Sequence, residues 1–140
     1  MPYCKLYYHV IWGTKNREPL ITPEIEPVLY DFIRSKAIGL GGIVYALNGT
    51  ENHIHLLVHI PTTIQLAQFI GRIKGASSAK LNKSGSGDGY FYWQSEYSAF
   101  TISEKHVPVF IKYIEYQKRH HEERTTNSQF ELWNNTFWFA

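Results

Sequence analysis

The run Glu51-Asn52-His53-Ile54-His55-Leu56-Leu57-Val58-His59-Ile60 constrains this chain more than any other stretch. Its apolar residues fall at every second position, which is the pattern of a β-strand. Ile54, Leu56, Val58 and Ile60 share one face, and His53, His55, Leu57 and His59 share the other. One face is therefore core and the other carries imidazoles in a row. Side chains two residues apart on a strand sit roughly 6–7 Å apart, so two imidazoles can converge on one cation. His59 lies about 13 Å beyond His55 along the strand, too far to be a third ligand. The competing reading is that His53 and His55 are polar residues on an exposed sheet face.

Length and composition suit one compact domain spanning residues 1–140, with 44% hydrophobic residues to build a core. The single cysteine, Cys4, rules out an internal disulfide and fits a reducing compartment. Met1 to Lys5 holds no long apolar run, and no stretch approaches a membrane span, so the expected location is cytoplasmic.

A net charge of +2 says little about partners, but its distribution says more. Between Glu51 and Asp88 there is no acidic residue, while Arg72, Lys74, Lys80 and Lys83 all fall there. Such a segment can follow a phosphate backbone. The only aspartates are Asp31 and Asp88, which argues against a two-metal carboxylate nuclease. No glycine-rich phosphate loop ending in Lys-Ser/Thr is present, so no nucleotide cofactor is expected.

Lys5 to Thr14 reads as a first strand, and Thr22-Pro23 opens a helix to about Lys36 that buries Ile25, Leu29 and Phe32. Ile43 to Leu47 forms a second strand, turned through Asn48 to Asn52 into the histidine strand as an antiparallel hairpin. Thr62 and Gln65 have the form of a capping box for a helix over about 63–81, with Leu66, Phe69, Ile70, Ile73 and Ser77 as its buried stripe. Ser84 to Gly89 is a loop. Tyr90 to Trp93 and Ser98 to Ile102 read as two short strands, and a third helix follows Ser103, with Pro108 near its start, to about Arg124. The fold class is α+β, a ferredoxin-like or RNA-recognition-like sandwich with an antiparallel sheet, helices packed on one face, and a further C-terminal helix bearing tyrosine.

On that last helix Val107, Phe110, Ile111 and Ile114 make the packing stripe. Tyr113 and Gln117, four apart, stack along one edge of it. Tyr113 can present a phenol to the sheet face while Gln117 offers an amide oxygen beside two imidazoles. That mixed set would accept Mg²⁺ or Mn²⁺. Periodicity alone also allows Tyr113 to be an ordinary boundary residue, and Tyr116 remains a rival nucleophile.

These residues resemble the HUH endonucleases, and specifically the single-tyrosine transposases of small bacterial insertion sequences and their REP-associated relatives. His53-Ile54-His55, running on through Pro61, resembles the His-hydrophobe-His signature. Tyr8 to Arg17 resembles the opening strand, Gly71 to Ser78 the second helix, Trp93 to Phe100 the segment before the last helix, and Tyr113 to Gln117 with His120-His121 the tyrosine helix. The resemblance implies that His53, His55 and Gln117 bind a divalent metal and that Tyr113 is the nucleophile. It implies cleavage and rejoining of single-stranded DNA at imperfect hairpins, through a 5′-phosphotyrosine, by a homodimer in which the tyrosine helix can serve the partner's histidines. Lys15, Arg17, Arg72 and Lys74 are candidates for backbone contact by charge and place, and Tyr90, Tyr92 and Trp93 for base stacking. The aromatic end, Phe130 to Ala140, departs from the family pattern. Two alternatives stand beside this reading: a hairpin-binding protein without catalysis, and a zinc protein using His120, His121 and the strand histidines.

Overall fold

The computed structural model describes residues 3–83 and 90–119. The Ser84–Gly89 loop, His120, His121 and the aromatic end lie outside the described residues.

Four strands form one antiparallel sheet: β1 (Tyr7–Gly13), β2 (Ile43–Gly49), β3 (His53–His59) and β4 (Ser98–Ile102), in the order β2-β3-β1-β4. That order, with one helix after β1 and one after β3, is the ferredoxin-like arrangement expected from the sequence. The histidine strand is central, flanked by β2 and β1, so its backbone is paired on both sides.

Alternation divides the sheet into two layers. Val10 and Trp12 of β1, with Ile54, Leu56 and Val58 of β3, face α1 (Ile25–Gly39) and α2 (Leu66–Lys83) and build the main core. Each such aliphatic side chain contributes about 1.5–3 kcal/mol on full burial. The opposite face is covered by α3 (Val107–Glu115), which packs Val107, Tyr113 and Ile114 against Ala46 and Leu57. Both faces of β3 are therefore buried, and the histidine row is roofed rather than exposed.

A bulge in β2 sets what the roof rests on. Val44 pairs with Val58, but Ala46 pairs with Leu57, so Tyr45 is an extra residue. Tyr45 and Ala46 consequently both join the α3 layer, Leu47 returns to the main core, and Asn48 faces α3 directly opposite His55.

Several local expectations are revised. Helix α1 starts after Thr22, whose hydroxyl accepts the Ile25 N–H at 3.3 Å. It buries Ile33 rather than Phe32, because Ile33 shares the face of Ile25, Leu29 and Ala37. It ends in a Schellman motif: Gly41 takes φ 91°, its N–H bonds Ile38 O, and Gly42 N–H bonds Ala37 O. Asn48 and Gly49 extend β2, which confines the turn to Thr50–Asn52. Helix α2 begins at Leu66, past the expected capping box at Thr62. Tyr90–Trp93 is not a paired strand; it makes one bridge, Trp93 to Thr14. Asn82 at the end of α2 holds Phe91 by both its N–H and its carbonyl, and Phe91 is buried. Helix α3 stops at Glu115, Tyr116 leaves helical geometry with ψ 24°, and helical turns resume over residues 117–119.

Candidate active site

His53 and His55 project from β3 into the layer beneath α3, with ring centroids 5.1 Å apart and planes at 65°. Both are buried. The Tyr113 ring stands edge-on to His55, with centroids 6.1 Å apart and planes at 69°. Within one chain the tyrosine helix thus covers its own histidine pair. Gln117 is fully buried one turn beyond Tyr113, past the bend at Tyr116, whereas Tyr116 itself is 53% exposed. The rival tyrosine is turned to solvent.

Each histidine is oriented through Nδ1. His53 Nδ1 lies 3.0 Å from Asn52 Oδ1 and 2.9 Å from Thr50 Oγ1, both from the tight turn that precedes it. The His55 Nδ1 lies 2.8 Å from Nε2 of His9, a buried residue of β1. A cation would accordingly meet Nε2 of each ring. Metal-bound histidines are normally anchored through the second nitrogen in this way. Among the described residues no three His, Cys, Asp or Glu side chains cluster as a ligand set. Gln117 carries an amide oxygen, so His53, His55 and Gln117 together offer two imidazole nitrogens and one amide oxygen, a mixed donor set of the kind divalent cations accept. His120 and His121, which the zinc reading requires, fall outside the described residues.

His9 is the site residue that sequence reasoning passed over. Its signal was present: Tyr7, His9 and Ile11 alternate with the core residues Tyr8, Val10 and Trp12, so pairing β1 with β3 brings His9 to the histidine row. His59, by contrast, is the last residue of β3, only partly buried, and bonds Leu6 O at 3.2 Å.

The roof is held at its far end by β2. Asn48 Nδ2 donates to Glu115 O at 2.8 Å, and Asn48 Oδ1 accepts from Lys118 Nζ at 2.9 Å. Lys118 also pairs with Glu26 of α1 at 2.8 Å. A cavity of about 600 Å³ opens beside this end, bounded by Thr50, Glu51, the start of α1 and Lys118.

The expected backbone-contact cations separate into two kinds. Lys15, Arg17 and Arg72 are exposed, and Lys15 Nζ lies 5.8 Å from the centre of the Tyr92 ring. Lys74 is largely buried and donates to Gln94 O at 2.7 Å and Glu96 O at 3.1 Å. Burial pushes its ammonium down to about 8, partly offset by the Glu96 carboxylate. Its charge is directed inward, to the segment after Trp93. Of the expected stacking rings, Tyr90 and Tyr92 are partly exposed, while the Trp93 indole donates to buried Ser77 Oγ at 2.9 Å.

A family pattern described as "Transposase IS200 like" matches residues 2–117. The chain belongs to this transposase family. It is 29% identical over 121 residues to the ISDra2 transposase TnpA of Deinococcus radiodurans, covering 81% of this chain and 84% of that protein. The crystal structure of a candidate transposase from Deinococcus radiodurans R1 superposes with a TM-score of 0.65 at 27% identity, over 84% of this chain and 95% of that one. A REP-associated tyrosine transposase, solved bound to a REP hairpin, shares the fold with a TM-score of 0.64 at 14% identity, over 86% and 74% of the two chains. No helix of this transposase, among the described residues, is long and apolar enough to cross a membrane.

Proposed function

We propose that this transposase cuts and rejoins single-stranded DNA at hairpin-bearing element ends, with Tyr113 as the nucleophile. The observation that carries the reading is the phenol of Tyr113 packed edge-on to His55, beside a second imidazole, on one face of the sheet. Family membership supports strand transfer as the reaction. The relative solved with a REP hairpin supports a DNA hairpin as the partner.

The Tyr113 oxygen forms a bond to phosphorus as the bond from phosphorus to the 3′ oxygen breaks. The phenolic proton passes to solvent and the departing 3′ oxygen takes one up, leaving a 5′-phosphotyrosine and a free 3′-OH. One phosphodiester replaces another, which is why no nucleotide is consumed. Rejoining is the same exchange with a 3′-OH attacking the phosphotyrosine. His53, His55 and Gln117 would hold Mg²⁺ or Mn²⁺, and such an ion would supply charge neutralisation at the phosphate oxygens. Lys15, Arg17 and Arg72 steer the strand by charge, Lys74 supports the neighbouring segment, and a second copy of the chain completes a homodimer.

The test is covalent capture. Labelled single strands from the DNA flanking the gene are incubated with the protein and Mg²⁺ or Mn²⁺, then denatured. A protein-linked fragment from downstream of the cut, held through its 5′ phosphate and lost with EDTA, is the expected result. Chelator-insensitive hairpin binding without cleavage would identify a non-catalytic binder instead.

A further inference from the structure

We propose that His9 is a positioning residue for His55: it accepts the His55 Nδ1–H and so holds that ring with Nε2 turned to the cation site. The proposal rests on the metal reading above.

The strand register brings the two rings together. His9 pairs with Leu57 and Ile11 pairs with His55, so His9 sits diagonally across from His55 on the same face. Their nitrogens are 2.8 Å apart, with ring centroids at 5.0 Å and planes within 25°. Two neutral imidazoles meeting nitrogen to nitrogen share one proton between them. If His9 donated it, the His55 proton would occupy Nε2 and leave no lone pair for a cation. If His55 donates it, Nε2 presents a lone pair, and the His9 proton lies on Nδ1. Only the second arrangement suits a ligand.

His53 reaches the same state by another route. Its Nδ1 faces the side-chain amide oxygen of Asn52, an acceptor, and that contact favours the tautomer with the proton on Nδ1. The preceding turn thus sets the tautomer of His53, while a neighbouring strand sets that of His55. Carboxylates and backbone carbonyls usually fill this supporting role; here an imidazole does. His9 is itself fixed between two rings, Phe110 of α3 at 5.5 Å and Phe100 of β4 at 6.5 Å between centroids. The roof helix therefore touches the support of the ligand as well as the ligand.

Two measurements test this. In the first, Mn²⁺ binding is followed by electron paramagnetic resonance for the wild type, His9→Leu, His9→Gln and His55→Ala. Glutamine can place an acceptor oxygen near the Nε2 position, whereas leucine supplies only volume. His55→Ala should abolish uptake, His9→Leu should weaken it about 10–100-fold, and His9→Gln should recover most of that loss. Wild-type affinity in His9→Leu overturns the proposal, and so does a His9→Gln protein as weak as His9→Leu. The second measurement needs no variant. Long-range ¹H–¹⁵N correlation of the imidazoles in EDTA-treated wild type should show the His55 proton on Nδ1; a proton on Nε2 overturns the proposal. If the wild type takes up no Mn²⁺ while the His55 proton sits on Nδ1, the metal reading falls and the orientation of His55 by His9 stands.

Discussion

Tyr113 lies edge-on to His55 at 6.1 Å between ring centroids, whereas Tyr116, three residues on, is 53% exposed. The bend at Tyr116 separates the two environments: one phenol is under the roof helix and the other is outside it. Replacing Tyr113 by Phe should cut covalent DNA capture by roughly a thousandfold or more, because nothing substitutes for a lost nucleophile. Tyr116→Phe should leave capture near wild type. Denaturing gels of labelled adduct separate the two; capture surviving in Tyr113→Phe would move the chemistry elsewhere.

Gly49 is the last residue of β2, and a Cβ there would strike the His53 carbonyl oxygen and lie 2.8 Å from Ile54 Cα. Both obstacles are backbone, so neither can rotate away. Gly49→Ala should cost about 1–3 kcal/mol, the range for overpacking. It should also displace the turn that orients His53. Urea unfolding gives the first effect and loss of divalent-metal uptake the second.

Ser77 is fully buried on α2, where its hydroxyl donates to Lys74 O at 3.0 Å and accepts from the Trp93 indole at 2.9 Å. Ser77→Ala leaves that indole N–H without its acceptor, an expected loss of about 1–3 kcal/mol. Ser78, one residue on, donates to Gly75 O of its own helix at 3.1 Å. Ser78→Ala should change the urea midpoint little, which makes it the matched control.

Lys74 gives the protein a signature in alkali. Burial lowers its ammonium to about 8, against 10.5 for an exposed lysine. Below pH 8 both folded and unfolded states are protonated there. Between about pH 8 and 10.5 the folded state sheds the proton while the unfolded state keeps it, so stability rises with pH in that window. Urea midpoints measured from pH 7.5 to 9.5 should climb in the wild type and stay flat in Lys74→Met.

Much of the architecture could be read from the chain because alternation is unambiguous where it is long. The histidine strand, the hairpin with β2, the helix stripe of Phe69, Ile70 and Ile73, and the ferredoxin-like order all follow from period and punctuation. The histidine face was harder, since alternation names two faces without saying what covers each. Val107 and Ile114 make α3 a second roof, so the face that reads as polar is as dry as the core. Tyr90–Trp93 has the composition of a strand, but the Asn82 amide claims the Phe91 backbone first. His9 lies 46 positions from its partner, and only the β1–β3 register brings them together.

The bulge at Tyr45 acts as a phase setting for β2. Upstream of it the strand points odd-numbered side chains at the roof; downstream it points even-numbered ones. Pairing Tyr45 in regular register with Leu57, instead of bulging it, would leave the composition unchanged yet bring Leu47 opposite His55 and turn Asn48 into the aliphatic layer. Whether an amide or a hydrocarbon greets the histidine face is thus decided by whether one residue is left out of the ladder, not by which residues the strand contains.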